Sequence, residues 1–199
     1  MTLHPMDLDA AFVKGLRDDG LDDPAIREAA NVGFHYNLIN RVADAFDFPT
    51  PQGKQKARLA ALLNTLSKVV KGNQAEPVWV RGADGCIRPT EVEEGRERLL
   101  SANGETDPEL RRSVEAFMVE KWGSARPGVP ALPDDLAAYC EKLALHAYRI
   151  TDEDVDALRA AGYSDGEIYE ITIVGSFGVA LVGLEQLFDR LYRGPEDIA

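Results

Sequence analysis

With 199 residues, 45% of them hydrophobic and 28% charged, the chain can bury a substantial core and has the composition of an ordinary soluble globular protein. Its 34 acidic residues outnumber 22 basic ones, and a net charge of −12 repels nucleic-acid phosphates and anionic lipid, so neither is an expected partner. The opening MTLHPMDLDAAF lacks the basic and apolar stretches of a secretory signal, and the most apolar run, Ile171 to Leu184, is too short to span a bilayer, so a cytoplasmic protein is expected.

Leu8, Phe12 and Leu16 fall on one face of a short first helix, which Gly20 terminates. Asp22-Asp23-Pro24 then supplies a carboxylate cap and a proline in the first turn, where no N–H is needed, and starts a long apolar helix to Phe46. A third helix is expected over Gln52–Val70, with Leu59, Leu62, Leu63, Leu66, Val69 and Val70 on one side. Asn73 to Pro89 is the least helical stretch: Val78-Trp79-Val80 suits a short extended piece and Gly82–Gly85 a turn. Thr90 with Glu93 predicts a capping box and a helix to about Leu100, and Thr106-Asp107-Pro108 starts another to Trp122. Gly123 to Pro133, with three prolines and two glycines after its start counted in, is the internal linker (123–133). Pro133–Tyr148 is helical through Leu136, Tyr139, Cys140, Leu143 and Ala147. Thr151 with Asp154 starts the next helix, Gly162 ends it, and Ser164 with Glu167 opens a last one to about Tyr192. The expectation is a single all-α domain (1–199) of eight helices with almost no strand.

That order contains an internal repeat. Shifted by 142 residues, 13–47 falls on 155–189 with Leu16/Leu158, Arg17/Arg159, Gly20/Gly162, Asp23/Asp165, Ile26/Ile168, Glu28/Glu170 and Gly33/Gly175 among the identities. The copies share a skeleton of short helix, glycine stop, cap and long helix. They differ in what the long helix carries. The first holds His35, Asn37, Asn40, Arg41 and Asp44, whereas the second holds the small residues Gly175, Gly178, Ala180 and Gly183.

Asn37, Asn40, Arg41 and Asp44 lie at i, i+3, i+4 and i+7 and share a face. One reading is a polar-lined pocket between the repeats, where His35 or Arg41 binds an acidic group of a small-molecule ligand. The plainer reading is a packed interface in which Arg41 pairs with Asp44. Cys86 and Cys140 are the only cysteines, with 53 residues between them and no zinc or CxxC spacing, so free thiols and neither metal nor cofactor are expected. Cys140 and His146, six residues apart, lie about 120° apart around one helix. Cys140 is then either a lone nucleophile served by His146 or His35 as base, or a small core residue on the Leu136/Leu143 face. Cys86, after the turn and two residues before Arg88, is a surface thiol candidate.

The segment TDEDVDALRAAGYSDGEIYEI with its apolar small-residue helix resembles the alkylhydroperoxidase D / carboxymuconolactone decarboxylase superfamily, as does LRDDGLDDPAIREAANVGFHYNLINRVADAFDF. Phe34, Asn37, Asn40, Arg41, Ala43, Asp44 and Ala45 make the likeness strongest to its peroxidase-related branch. The resemblance covers both repeat copies and leaves about 54–130 unmatched. It implies an all-helical fold, a homodimer or higher homo-oligomer, and an oxidoreductase or decarboxylase-like activity on a small molecule. The redox members place a Glu, a CxxC and a His ahead of the glycine turn. Here the matching stretch, Tyr139 to His146, has Leu143 where the second cysteine belongs, and the first copy has no cysteine. The alternative is therefore a non-catalytic helical binding or assembly protein that has lost the redox motif.

Overall fold

The computed structural model describes residues 9–47, 79–82, 85–123 and 128–192. Seven α-helices and one two-stranded hairpin lie among them. The helix expected over Gln52–Val70 lies outside the described residues.

Local capping chemistry sets the helix starts. The Asp9 side chain accepts from Phe12 N at 2.7 Å to open α1 (Ala10–Asp18), and Asp22 accepts from Ala25 N at 2.9 Å to open α2 (Asp23–Ala45). In α1 Val13, at 1% exposure, and the partly buried Leu16 face the core, as expected for Leu16, whereas Phe12 is 37% exposed; Leu8 lies outside the described residues. Strands β1 (Trp79–Arg81) and β2 (Ile87–Pro89) pair antiparallel, Trp79 opposite Pro89. The chain then enters α3 (Thr90–Ser101). Glu93 in its first turn pairs with the buried Arg88 guanidinium at 2.5 Å. Asp107 caps α4 (Pro108–Lys121), with Pro108 in its first turn. Within the expected linker, residues 124–127 lie outside the described residues.

Helix α5 (Asp134–His146) ends in a 3-10 turn, Ala147–Arg149. Thr151 and Asp154 form the expected capping box of α6 (Asp152–Ala160). Ser164 and Glu167 do the same for α7 (Asp165–Tyr192), with Glu167 N donating to Ser164 Oγ at 3.0 Å and Ser164 N to Glu167 Oε2 at 2.8 Å.

The turn before α2 and the turn before α7 are built alike. Gly20 and Gly162 both adopt positive φ, at +91° and +104°, a region open to glycine at little cost. Their N–H groups donate to Arg17 O and Arg159 O, both at 3.0 Å. Arg17 Nε meets Asp23 at 2.8 Å, and Arg159 Nε meets Asp165 at 2.7 Å. These exposed pairs orient the turn more than they stabilise it.

Helix α7 is the axis of the molecule. It packs most extensively on α2 and α4 and also meets α1, α3, α5, α6 and β2. One half of the core joins Leu136, Tyr139, Cys140 and Leu143 of α5 to Met118 of α4 and Ile168, Ile171 and Val174 of α7. The other joins Ile26, Ala30 and Phe34 of α2 to Phe177, Leu181, Leu184 and Phe188 of α7. By length and composition Asp165–Asp189 could cross a membrane, but 83% of its apolar window is buried within the protein, which accounts for the apolarity. Gly178 lets α4 come close: a Cβ there would stand 3.2 Å from the Glu115 backbone oxygen.

Polar groups inside the fold are tied together. The fully buried Arg88 reaches Glu185 of α7 and Glu93 of α3, and Arg96 forms a two-pronged pair with Glu115 of α4 at 2.6 and 2.7 Å. Thr172 Oγ1 donates to Ile168 O at 2.7 Å, so Tyr139 Oη is the donor in its 2.7 Å bond to Thr172.

Candidate functional site

The residues singled out in the sequence fall in three separate settings. Cys140 has no exposed surface and sits in the α4/α5/α7 core. Burial pushes its thiol up to about 12, so it stays protonated at neutral pH. His146, at the other end of α5, is exposed and stacks edge-on against Tyr148. His35 is exposed on α2, where its Nδ1 donates to the Asn31 carbonyl at 2.8 Å. The structure does not gather these three into a nucleophile–base pair, and the setting of Cys140 is that of a small core residue. We expect a thiol reagent at pH 8 to label Cys86, which is partly exposed, in the native protein, and Cys140 only after denaturation. Prompt native labelling of both thiols would show that the core admits reagent.

The α2 strip divides. Asn37 and Arg41 are buried, at 4% and 8% exposure, while Asn40 and Asp44 face solvent. Arg41 does not pair with Asp44. Its guanidinium donates to Asn37 Oδ1 and, at 3.2 Å, to the Ala144 carbonyl of α5, and it lies 4.4 Å from the Trp122 ring centroid. Desolvation outweighs the more distant pull of Asp44 and lowers Arg41 to about 10, which leaves it charged. Arg41 thus ties α2 to the ends of α4 and α5.

A third setting was not singled out in the sequence. Between α2, α3 and α7 lies a cavity of about 540 Å³. Leu38, Leu99, Ile173, Val174 and Phe177 form its apolar wall, and a Cβ on Gly95 would still stand 4.0 Å from Phe177, so that end is roomy. The other end is polar, where Ala102, Asn103 and Gly104 leave α3 and meet Arg111 and Glu170, with Arg98 midway along the α3 wall.

Glu170 anchors this end. Its carboxylate accepts from Glu105 N and Thr106 N, both at 2.8 Å, from Thr106 Oγ1, and from Arg111 Nη1 at 3.3 Å. Desolvation acts to raise its pKa, but the Thr106 and Glu105 hydrogen bonds and the Arg111 charge together hold it below the usual glutamate range. A Cβ on Gly104 would coincide with this carboxylate, and one on Gly166 with that of Glu105, which Ser164 Oγ contacts. The two glycines let the α3–α4 loop clip onto the first turns of α7. Arg111, only 2% exposed, donates to Ala102 O, Thr106 O and Thr106 Oγ1, while its Nε has no hydrogen-bond partner.

The sequence suggested a pocket between the repeats, but lined by His35 or Arg41, and neither residue lines this cavity; of its lining only Glu170 was noted, as the Glu28/Glu170 identity. The α3 and α4 walls come from the unmatched middle of the chain. No group of three or more His, Cys, Asp or Glu suited to a metal occurs among the described residues. Comparison of the chain with protein-family models, curated proteins and solved structures gives no match.

Proposed function

We propose that this chain is a carboxymuconolactone decarboxylase / alkylhydroperoxidase-like helical protein, built from two diverged copies of one unit, that acts by binding a small molecule rather than by thiol redox chemistry. The cavity between α2, α3 and α7 carries the reading. Its volume lies in the range of small-molecule sites, and its wall is apolar with a few convergent polar groups at one end. The buried, protonated Cys140, without a second cysteine in reach of a CxxC spacing, speaks against the peroxidase version. The duplicated origin is supported by the matching turns at Gly20 and Gly162 and by the equivalent Arg17–Asp23 and Arg159–Asp165 pairs.

The divergence of the copies then has a use. Leu38 of the first long helix faces Tyr169, Ile173 and Phe177 of the second across the cavity. A ligand there would be held between the two copies, with α3 closing the third side.

The test is a thermal-shift screen of small apolar acids, alcohols and aromatics. A bound compound at about a hundred times its Kd should raise the Tm by roughly 5–10 °C. The shift should vanish in Gly95→Leu, which fills the apolar end, and persist in Cys140→Ser. Peroxide consumption that depends on Cys140 would overturn the proposal, as would ligand shifts unaffected by Gly95→Leu.

A further inference from the structure

We propose that the cavity selects a monoanionic, elongated apolar acid, bound with its acid group toward Arg98 and Arg111 and its tail toward Gly95 and Phe177. This inference rests on the cavity being a ligand site and specifies what that site takes.

The lining has a direction. Gly95, Leu99 and Ala102 succeed one another along α3, while Phe177, Val174 and Glu170 succeed one another along α7, in the same order from the apolar end to the polar end. Seven residues of helix separate the ends on each wall, roughly 10 Å. A ligand that fills the space therefore meets hydrocarbon at one pole and charge at the other.

The charges along the lining do not cancel. Three charged groups line the cavity: Arg111 and Glu170 at this pole, and the exposed Arg98 midway along the α3 wall, between Gly95 and Ala102. Glu170 is occupied by two backbone amides, a hydroxyl and Arg111, so its oxygens already have donors. Arg98 is different. Its recorded hydrogen bond runs from Nε to the Glu94 carbonyl at 3.2 Å, and no carboxylate pairs with it among the described residues. A second donor, the buried Arg111 Nε, also lacks an acceptor. One uncompensated cation beside an apolar slot and an unfilled buried N–H at its polar end suit a single carboxylate on a hydrocarbon or aryl body. The net charge of −12 makes that local positive charge an exception on this molecule rather than a general attraction for anions.

Titration calorimetry with octanoate, decanoate and naphthoate, each beside its neutral alcohol, reads this directly. In the wild type at least one acid should bind about tenfold or more tightly than its alcohol, the worth of one charge-assisted hydrogen bond. In Arg98→Gln that gap should shrink to about threefold or less while the alcohol's affinity stays unchanged. Gly95→Leu should weaken acid and alcohol alike, and because a Cβ there meets only Phe177, at an ordinary contact distance of 4.0 Å, and leucine favours the helix, it should not impair folding. Equal binding of acids and alcohols, or a preference that survives Arg98→Gln, overturns the acid specificity and leaves the cavity reading standing. Binding of no compound, or binding indifferent to Gly95→Leu, overturns both.

Discussion

Replacing Arg88 with alanine should cost about 3–5 kcal/mol of unfolding free energy, measured by urea denaturation at neutral pH. The guanidinium is fully buried and held by Glu185, through Nε at 2.8 Å, and by Glu93 at 2.5 Å. Removing it takes the guanidinium from two carboxylates whose side chains are only 10% and 14% exposed, and leaves Glu93 with the more distant Arg96 at 3.9 Å. It also severs the polar tie between β2, α3 and α7. The double variant Arg88→Met/Glu185→Gln should recover a large part of the loss, because it removes a charge along with its partner and replaces the guanidinium's volume. A single variant within about 1 kcal/mol of wild type would mean that water reaches the carboxylates and that this cluster does not hold the elements together.

Glu170→Ala should be nearly as damaging, at about 3 kcal/mol, and should also change the cavity. The substitution strips an acceptor from Glu105 N, Thr106 N and Thr106 Oγ1, and leaves the buried Arg111 with no carboxylate. Gly104→Val attacks the same clip from the loop side by forcing the carboxylate aside, and the two changes should be markedly less than additive. Acid provides an independent check. The Glu170 carboxyl is lowered in the folded state, so its stabilisation is fully present above the unfolded value near 4.3 and is lost as pH falls through the lower folded value. Asp154 is lowered too: burial works against ionisation there, but bonds from Lys142 and Thr151 prevail. Wild-type stability should therefore fall below about pH 4, and Glu170→Gln should give a visibly flatter profile over that range. A variant profile parallel to the wild type would show that Glu170 carries no such linkage.

Helix starts could be read in the sequence because they depend on neighbours only a few residues away. Asp22-Asp23-Pro24, Thr151 with Asp154, and Ser164 with Glu167 each cap the helix they predict. Burial within a helix was harder to read. Arg41 and Asp44 share a face by spacing, yet Arg41 turns inward onto Trp122, 81 positions away, and Asp44 stays in solvent. The cavity was least legible. It needs Leu38, Leu99, Arg111 and Phe177 at one place, and no periodicity within any one segment carries that information.

The position of α7 at the centre of the fold has a kinetic consequence. The helix that α1, α2, α4, α5 and α6 all pack against is also the last of the described elements to leave the ribosome. Until it emerges, Ile26, Ala30 and Phe34 lack the larger part of their cluster, Phe177, Leu181, Leu184 and Phe188. The α2–α7 pairing spans more than a hundred residues, so closing it means ordering a long loop before its contacts are gained. The chain therefore depends on one long-range helix pairing. It should fold more slowly than a bundle of sequential hairpins, and its nascent form should expose α2 to chaperones until α7 has emerged.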